Sequence, residues 1–231
     1  LAPFFVEYLT YIRNHGGIPV IVECNQETMQ PDTDKIRQAI TERTKAIIIN
    51  SPNNPSGAVY STEVLTQLQN LLDTYKNSIY VISDEPYKEI VFGEIKVPST
   101  LKIFKNIIVC YSWSKTLALP GDRIGYLAAS PDMESIQEFM AGAVMCNRSL
   151  GFVNAPAIMQ KVIEKSINAK VDVGNYEKRC NLLYDIVTDS GFECKKPQGA
   201  LYLFPKSPIP DDVLFAKIAS GNNLLVVPGS G

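Results

Sequence analysis

The stretch Tyr111-Ser112-Trp113-Ser114-Lys115, followed by Gly121-Asp122-Arg123, sets one lysine beside two hydroxyls and an arginine. The apolar run Ile107-Ile108-Val109-Cys110 leads directly into it. A strand ending this way aims hydroxyls and cations into one crevice, which suits an anion joined to a group that lysine can capture. A lysine becomes a covalent catalyst when desolvation or neighbouring cations favour its neutral amine. Ser112, Ser114 and Arg123 offer what a phosphate needs, single hydroxyl donors and a planar bidentate guanidinium. Taken alone, the same residues also fit an exposed polar loop with serines closing a turn.

Two further segments weigh against the plain loop. Ala46-Ile47-Ile48-Ile49 runs into Asn50-Ser51-Pro52-Asn53-Asn54-Pro55-Ser56-Gly57, and Ile79-Tyr80-Val81-Ile82 runs into Ser83-Asp84-Glu85-Pro86-Tyr87. Each is a short β-branched run ending abruptly in polar residues, as expected of a strand buried on both faces. In one parallel sheet, three such strands put Asn54, Asp84, Tyr87 and Ser112 at their carboxyl ends, the edge where open α/β sheets bind ligands.

The elements that must hold this edge can be read from periodicity. Pro19-Val20-Ile21-Val22 predicts a strand, and Asp32 to Thr44 an amphipathic helix with Ile36, Ala39 and Ile40 inward. Ser61 caps a helix whose stripe is Val64, Leu65, Leu68, Leu71, Leu72 and Tyr75. The resulting β-α-β-α-β order is that of a parallel sheet with helices on its faces. Ile124 to Ala129 returns too soon after the lysine loop for a parallel crossover, so it predicts an antiparallel strand. Ser130-Pro131 reads as a helix start, and further helices are expected over Val153 to Ile167 and Val173 to Thr188. The last of these would bury Tyr176, Cys180, Leu183 and Val187. Strands near Leu201 to Phe204 and Leu224 to Val227 flank a helix at Asp211 to Ala219.

Composition narrows the function. The 231 residues are 45% hydrophobic and 20% charged, with a net charge of −2, an ordinary globular balance. That charge gives no support to nucleic-acid binding or to a basic membrane-binding face. No apolar run approaches the ~20 residues that span a bilayer, and a cytoplasmic setting is expected. The five scattered cysteines lack C-x-x-C spacing and read as reduced thiols, and the single histidine, His15, argues against a triad or zinc site.

The ordered set S-P-N-N-P-S-G, S-D-E-P-Y, S-W-S-K, G-D-R-I-G and Gly199-Ala200-Leu201-Tyr202-Leu203-Phe204-Pro205 covers nearly the whole chain. It resembles the fold-type I pyridoxal-phosphate enzymes, specifically the class I/II aminotransferases related to aspartate aminotransferase. The resemblance implies an α/β fold. A mostly parallel sheet with helices on both faces would form a large domain over 1–168, followed by an interdomain helix and part of a small α+β domain over 169–231. It implies that Lys115 forms an aldimine with pyridoxal 5'-phosphate and that Asp84 pairs with the pyridine nitrogen. Asn54 and Tyr87 would then bond the 3′-oxygen, and Ser112, Ser114 and Arg123 the phosphate. A cis Asn54-Pro55 peptide is also implied.

The implied reaction moves an amino group between an L-amino acid and a 2-oxo acid, in a homodimer when full length. The same resemblance leaves open a β-elimination lyase, a decarboxylase, or a non-catalytic pyridoxal-phosphate-sensing regulator domain. It also implies a fragment. The chain opens at Leu1-Ala2-Pro3-Phe4-Phe5, interior in family members, and stops at Gly231, before the arginine that clamps the substrate carboxylate. Such a piece is expected to bind the cofactor poorly and to transaminate negligibly by itself.

Overall fold

The structure, a computed structural model, describes residues 1–230. Its centre is a four-stranded sheet in the order β1-β2-β3-β4, formed by β1 (Ala46–Asn50), β2 (Tyr80–Asp84), β3 (Ile107–Ser112) and β4 (Gly125–Ala129). The first three strands run parallel, with Ile48 beside Ile82 and Ile82 beside Ile108. β4 lies antiparallel to β3, with Ser112 opposite Gly125. The short return after the lysine loop is therefore the antiparallel partner that its length predicts.

Helix α3 (Thr62–Leu72) follows β1 because Ser61 accepts a hydrogen bond from the Val64 amide and starts the turn. Its Leu65, Leu68, Leu71 and Leu72 pack with Ile47, Ile49, Val81, Ile107 and Val109 of the sheet. Ile36 of α2 (Thr33–Ala39) and Phe104, just after α4 (Thr100–Ile103), close the same core. Asp32 caps α2 through the Asp34 and Lys35 amides. α2 stops at Ala39, short of the expected Thr44.

The sheet strands are less evenly buried than their composition suggests. Burial alternates along β2 and β3, with Val81, Ile107 and Val109 fully enclosed and Ile82 and Ile108 only partly so. Ile48 and Ile82 instead line an open apolar groove shared with Leu9 and Ile12 of α1 (Glu7–Asn14).

Several expected elements do not form. Residues 19–22 make no strand, and only the bridge between Ala2 and Glu23 lies nearby. After Ser130 the chain makes a turn, in which the serine hydroxyl accepts from the Asp132 amide, and α6 (Ile136–Ser149) begins later. α7 (Ala157–Ser166) starts four residues after its predicted onset at Val153. α8 (Val173–Asp189) is capped by Asp172 and ends before Gly191 as expected, but Leu183 is 53% exposed. The stretches 201–204 and 224–227 form no strand, although single bridges join Val91 to Gly199 and Cys194 to Pro205 nearby. A strand is defined by its neighbour, and apolar composition alone does not supply one. α9 (Asp212–Gly221) forms under an Asp211 cap.

Candidate active site

Asn50, Asp84 and Ser112 end three adjacent strands, so the parallel register brings them to one edge. Asn50 joins two of the polar segments there. Its Nδ2 donates to the Asp84 carbonyl at 2.8 Å, while its Oδ1 accepts the Asn54 amide at 2.6 Å. Asn53 Oδ1 accepts from the Ser56 amide and hydroxyl, which closes the turn beneath Asn54. The Asn54-Pro55 peptide is cis, as the resemblance implies. Buried polar groups of this turn are thus satisfied locally, and the backbone that carries Asn54 is fixed.

At the end of β2, successive side chains take opposite directions. Glu85 points inward, 1% exposed, and accepts from Ser83 Oγ at 2.9 Å, Thr100 Oγ1 at 2.5 Å and Lys88 Nζ at 2.5 Å. Three donors hold this buried carboxylate, which anchors the segment behind Asp84. Asp84 Oδ2 accepts a hydrogen bond from the Tyr8 hydroxyl at 2.5 Å. Burial raises the Asp84 carboxyl above its ordinary value, the Tyr8 hydrogen bond pulls it back, and the Glu85 charge adds to the rise. Burial first, then the Asp84 charge, holds the Tyr8 phenol protonated well above its usual range. The same causes push the neighbouring Cys110 thiol up to about 11, so it is no thiolate nucleophile at neutral pH.

Lys115 sits in α5 (Trp113–Thr116), a single turn directly after β3. Trp113 packs edge-on against Tyr111 and Tyr126, and the Tyr111 hydroxyl pairs with Thr116 Oγ1 at 2.9 Å. The Trp113 amide donates to the Ile124 carbonyl, which ties the lysine turn to the start of β4. Arg123 reaches this position through a left-handed backbone, φ 49°, and its Nη1 donates to the Pro120 carbonyl. At Gly125 a Cβ would lie 2.3 Å from the Tyr111 carbonyl oxygen, so only glycine permits this close pairing.

Tyr87 lies buried beyond β2, and its hydroxyl pairs with that of Tyr202 at 2.6 Å, the rings meeting edge-on. The chain just before Tyr202 is sewn to both polar turns. Gln198 and Gly199 amides donate to the Gly57 carbonyl, Gln198 Oε1 accepts from the Val59 amide, and the Ala200 amide donates to Ile90. Cβ atoms at Gly57 and Gly199 would fall 2.5 Å from Pro197 Cβ and 2.4 Å from the Ile90 carbonyl oxygen.

The site's polar groups fall into two sets. Asn50, Asn53, Ser56, Ser83 and Glu85 are all engaged with the protein. Among the described residues, Ser112 Oγ, Ser114 Oγ, Lys115 Nζ, the Asn54 carboxamide and Asp84 Oδ1 make no hydrogen bond to the protein. One amine, two hydroxyls, a carboxamide and a carboxylate oxygen fit pyridoxal phosphate. A protonated ring nitrogen opposite Asp84 would offset the burial that now raises its carboxyl. Tyr8, Asn50 and Tyr202 were not singled out from sequence. Tyr8 and Tyr202 stand 76 and 115 residues from their partners, and no local pattern marks such pairs.

Comparison with known proteins gives the family. The family model for aminotransferase class I and II matches residues 1–231, and the chain belongs to that family. Members of the family depend on pyridoxal phosphate. The chain is 31% identical to an aspartate aminotransferase of Geobacillus stearothermophilus, over 99% of this chain and 61% of the relative. It is 34% identical to an aspartate/prephenate aminotransferase of Thermus thermophilus, over 100% of this chain and 60% of the relative. The crystal structure of an amino transferase from Eubacterium rectale superposes with a TM-score of 0.95 at 40% identity, over 99% of this chain and 58% of that one. The chain thus spans about 60% of the length of the curated relatives it matches.

Proposed function

We propose that the protein transfers an amino group between an L-amino acid and a 2-oxo acid, with pyridoxal phosphate held by Lys115, Asp84, Tyr87, Asn54, Ser112, Ser114 and Arg123. The observation that carries this reading is the set of unengaged polar groups at the sheet edge, beside neighbours that are all satisfied. When bound, pyridoxal phosphate supplies an electron-withdrawing ring that acidifies the substrate Cα–H.

The chain's own residues do the rest. Asp84 would hold the ring nitrogen through its free Oδ1, while Tyr8 steadies Oδ2. Ser112, Ser114 and Arg123 would grip the phosphate, the hydroxyls as single donors and the guanidinium through its remaining N–H groups. Tyr87 would donate a hydrogen bond to the cofactor's phenolic oxygen. Lys115 would hold the cofactor covalently, and its amine, once free, would act as the general base and acid that moves the substrate Cα proton.

The names of the relatives favour transamination over lyase or decarboxylase chemistry, and aspartate-like or aromatic amino acids as donors. We assign 1–168 to a large cofactor-binding domain and 169–231 to an interdomain helix and a small domain, in a cytoplasmic homodimer. The full-length protein mixed with pyridoxal phosphate is expected to show a visible absorbance band that Lys115→Ala abolishes. Given an amino acid and 2-oxoglutarate it is expected to form glutamate. Ammonia or carbon dioxide without glutamate would reject transamination.

A further inference from the structure

We infer that Tyr202 is a positioning residue for the cofactor: its hydroxyl orients and polarises the Tyr87 hydroxyl that bonds the ring's phenolic oxygen. The inference rests on the cofactor reading above and adds to it a residue from the C-terminal segment.

The geometry is specific. The two hydroxyl oxygens lie 2.6 Å apart, a short hydrogen bond between phenols, and the rings meet at 84° with centroids 5.7 Å apart. Tyr87 is 4% exposed and packs with Ile90, Phe92 and Ala200, so it has little rotational freedom. The chain that carries Tyr202 is fixed by its backbone. The Ala200 amide donates to Ile90, and Gly199 pairs with Val91, so the chain bearing Tyr202 is laced to the chain bearing Tyr87. A packing-only pair of aromatic rings would not require two hydroxyls to meet, nor backbone on both sides to fix their spacing.

The pair has a direction once an anionic oxygen is present. A phenol has one proton, so when Tyr87 donates to that oxygen its own oxygen is left to accept, and Tyr202 becomes the donor. A hydroxyl that accepts one hydrogen bond donates a stronger second one, because the chain of bonds polarises itself. Without cofactor the pair can run the other way: burial and the hydrogen bond to Tyr202 both keep Tyr87 protonated. Tyr202 therefore serves as acceptor in one state and donor in the other, and Tyr87 is always satisfied.

The consequence is electronic. The cofactor's phenolic oxygen also attracts the proton on the adjacent lysine-linked nitrogen. A weaker Tyr87 donor leaves that oxygen more basic, so the nitrogen keeps its proton to higher pH. In the full-length protein, Tyr202→Phe should raise the pH midpoint of the visible cofactor band by on the order of a few tenths of a pH unit. Tyr87→Phe should raise it further, and the double variant should match Tyr87→Phe alone, because Tyr202 acts only through Tyr87. Tyr202→Phe keeps the ring and its edge-on contact, so it separates the hydroxyl from the packing. An unchanged midpoint in Tyr202→Phe, or shifts that simply add in the double variant, would overturn the inference. A parent protein with no visible band would overturn the cofactor reading itself, and this inference with it.

Discussion

At Asp84 two demands oppose one another. Its carboxylate is buried behind the sheet edge and steadied by a single phenol, an arrangement that costs stability until a cation faces its free oxygen. The direction of its shift fixes a pH dependence. Burial raises the folded carboxyl, so the unfolded chain loses this proton first as pH climbs past the ordinary value of 3.8. Asp84 therefore takes stability away as pH rises through the window from that value to the folded one. Asp84→Asn should consequently melt no lower than the parent at neutral pH in the cofactor-free protein, with any advantage vanishing towards pH 4. Turnover should nonetheless fall by about a hundredfold or more, the size of effect seen when a preorganised charge partner is lost. A variant that melts far below the parent at pH 7 would show that this account of the charge is wrong. Asp84 itself was legible from S-D-E-P-Y, but Tyr8 was not, because the contact depends on where α1 packs.

Between β3 and β4 the lysine turn is positioned by backbone proximity as much as by side chains. Gly125→Ala would drive a methyl into the Tyr111 carbonyl oxygen, 2.3 Å away, and the strands would have to part. Overpacking of this kind costs about 1–3 kcal/mol, so a lowered melting temperature and weakened cofactor retention are expected together. A variant with parental melting and retention would mean that the sheet yields there freely. The elements that sequence patterning identified well were those with a local cause. Ser61 starts α3, Asp211 starts α9, and the short return after Arg123 forces β4 antiparallel. The failures share a different cause. Val20, Ile21, Leu225 and Val227 are apolar enough for strands, yet each is more than half exposed and has no strand partner. At Ser130 the hydroxyl spends its lone pair on the Asp132 amide, and the signal for a helix cap became a turn.

On the scale of the whole chain, the two proposed domains are joined by the exposed stretch 168–170, by the start of α8, whose Val173, Tyr176 and Cys180 pack with Tyr87, Ile90 and Phe92, and by the seam formed by Pro197 to Ala200. Lys170, like several other loop lysines, is exposed and lies outside any helix, so limited trypsin digestion should cut there and leave a fragment on either side. The two fragments should still co-elute under native conditions, because Gln198 reaches Val59 across 139 residues of sequence and its amide also bonds Gly57. Fragments that separate at once would show that the seam is too weak to join them. This seam was invisible to residue patterning, which identified the G-A-L-Y-L-F-P segment but not what it grips. Since the Gly57 carbonyl takes two amides and Ala200 a third contact at Ile90, residues 197–200 travel with the sheet as one rigid piece. The start of α8 and Tyr202 pack on the same Tyr87 cluster, so any swing of the C-terminal part over a substrate must pivot beyond them, and amide hydrogen exchange should find slow protons on the seam and faster ones further along the chain.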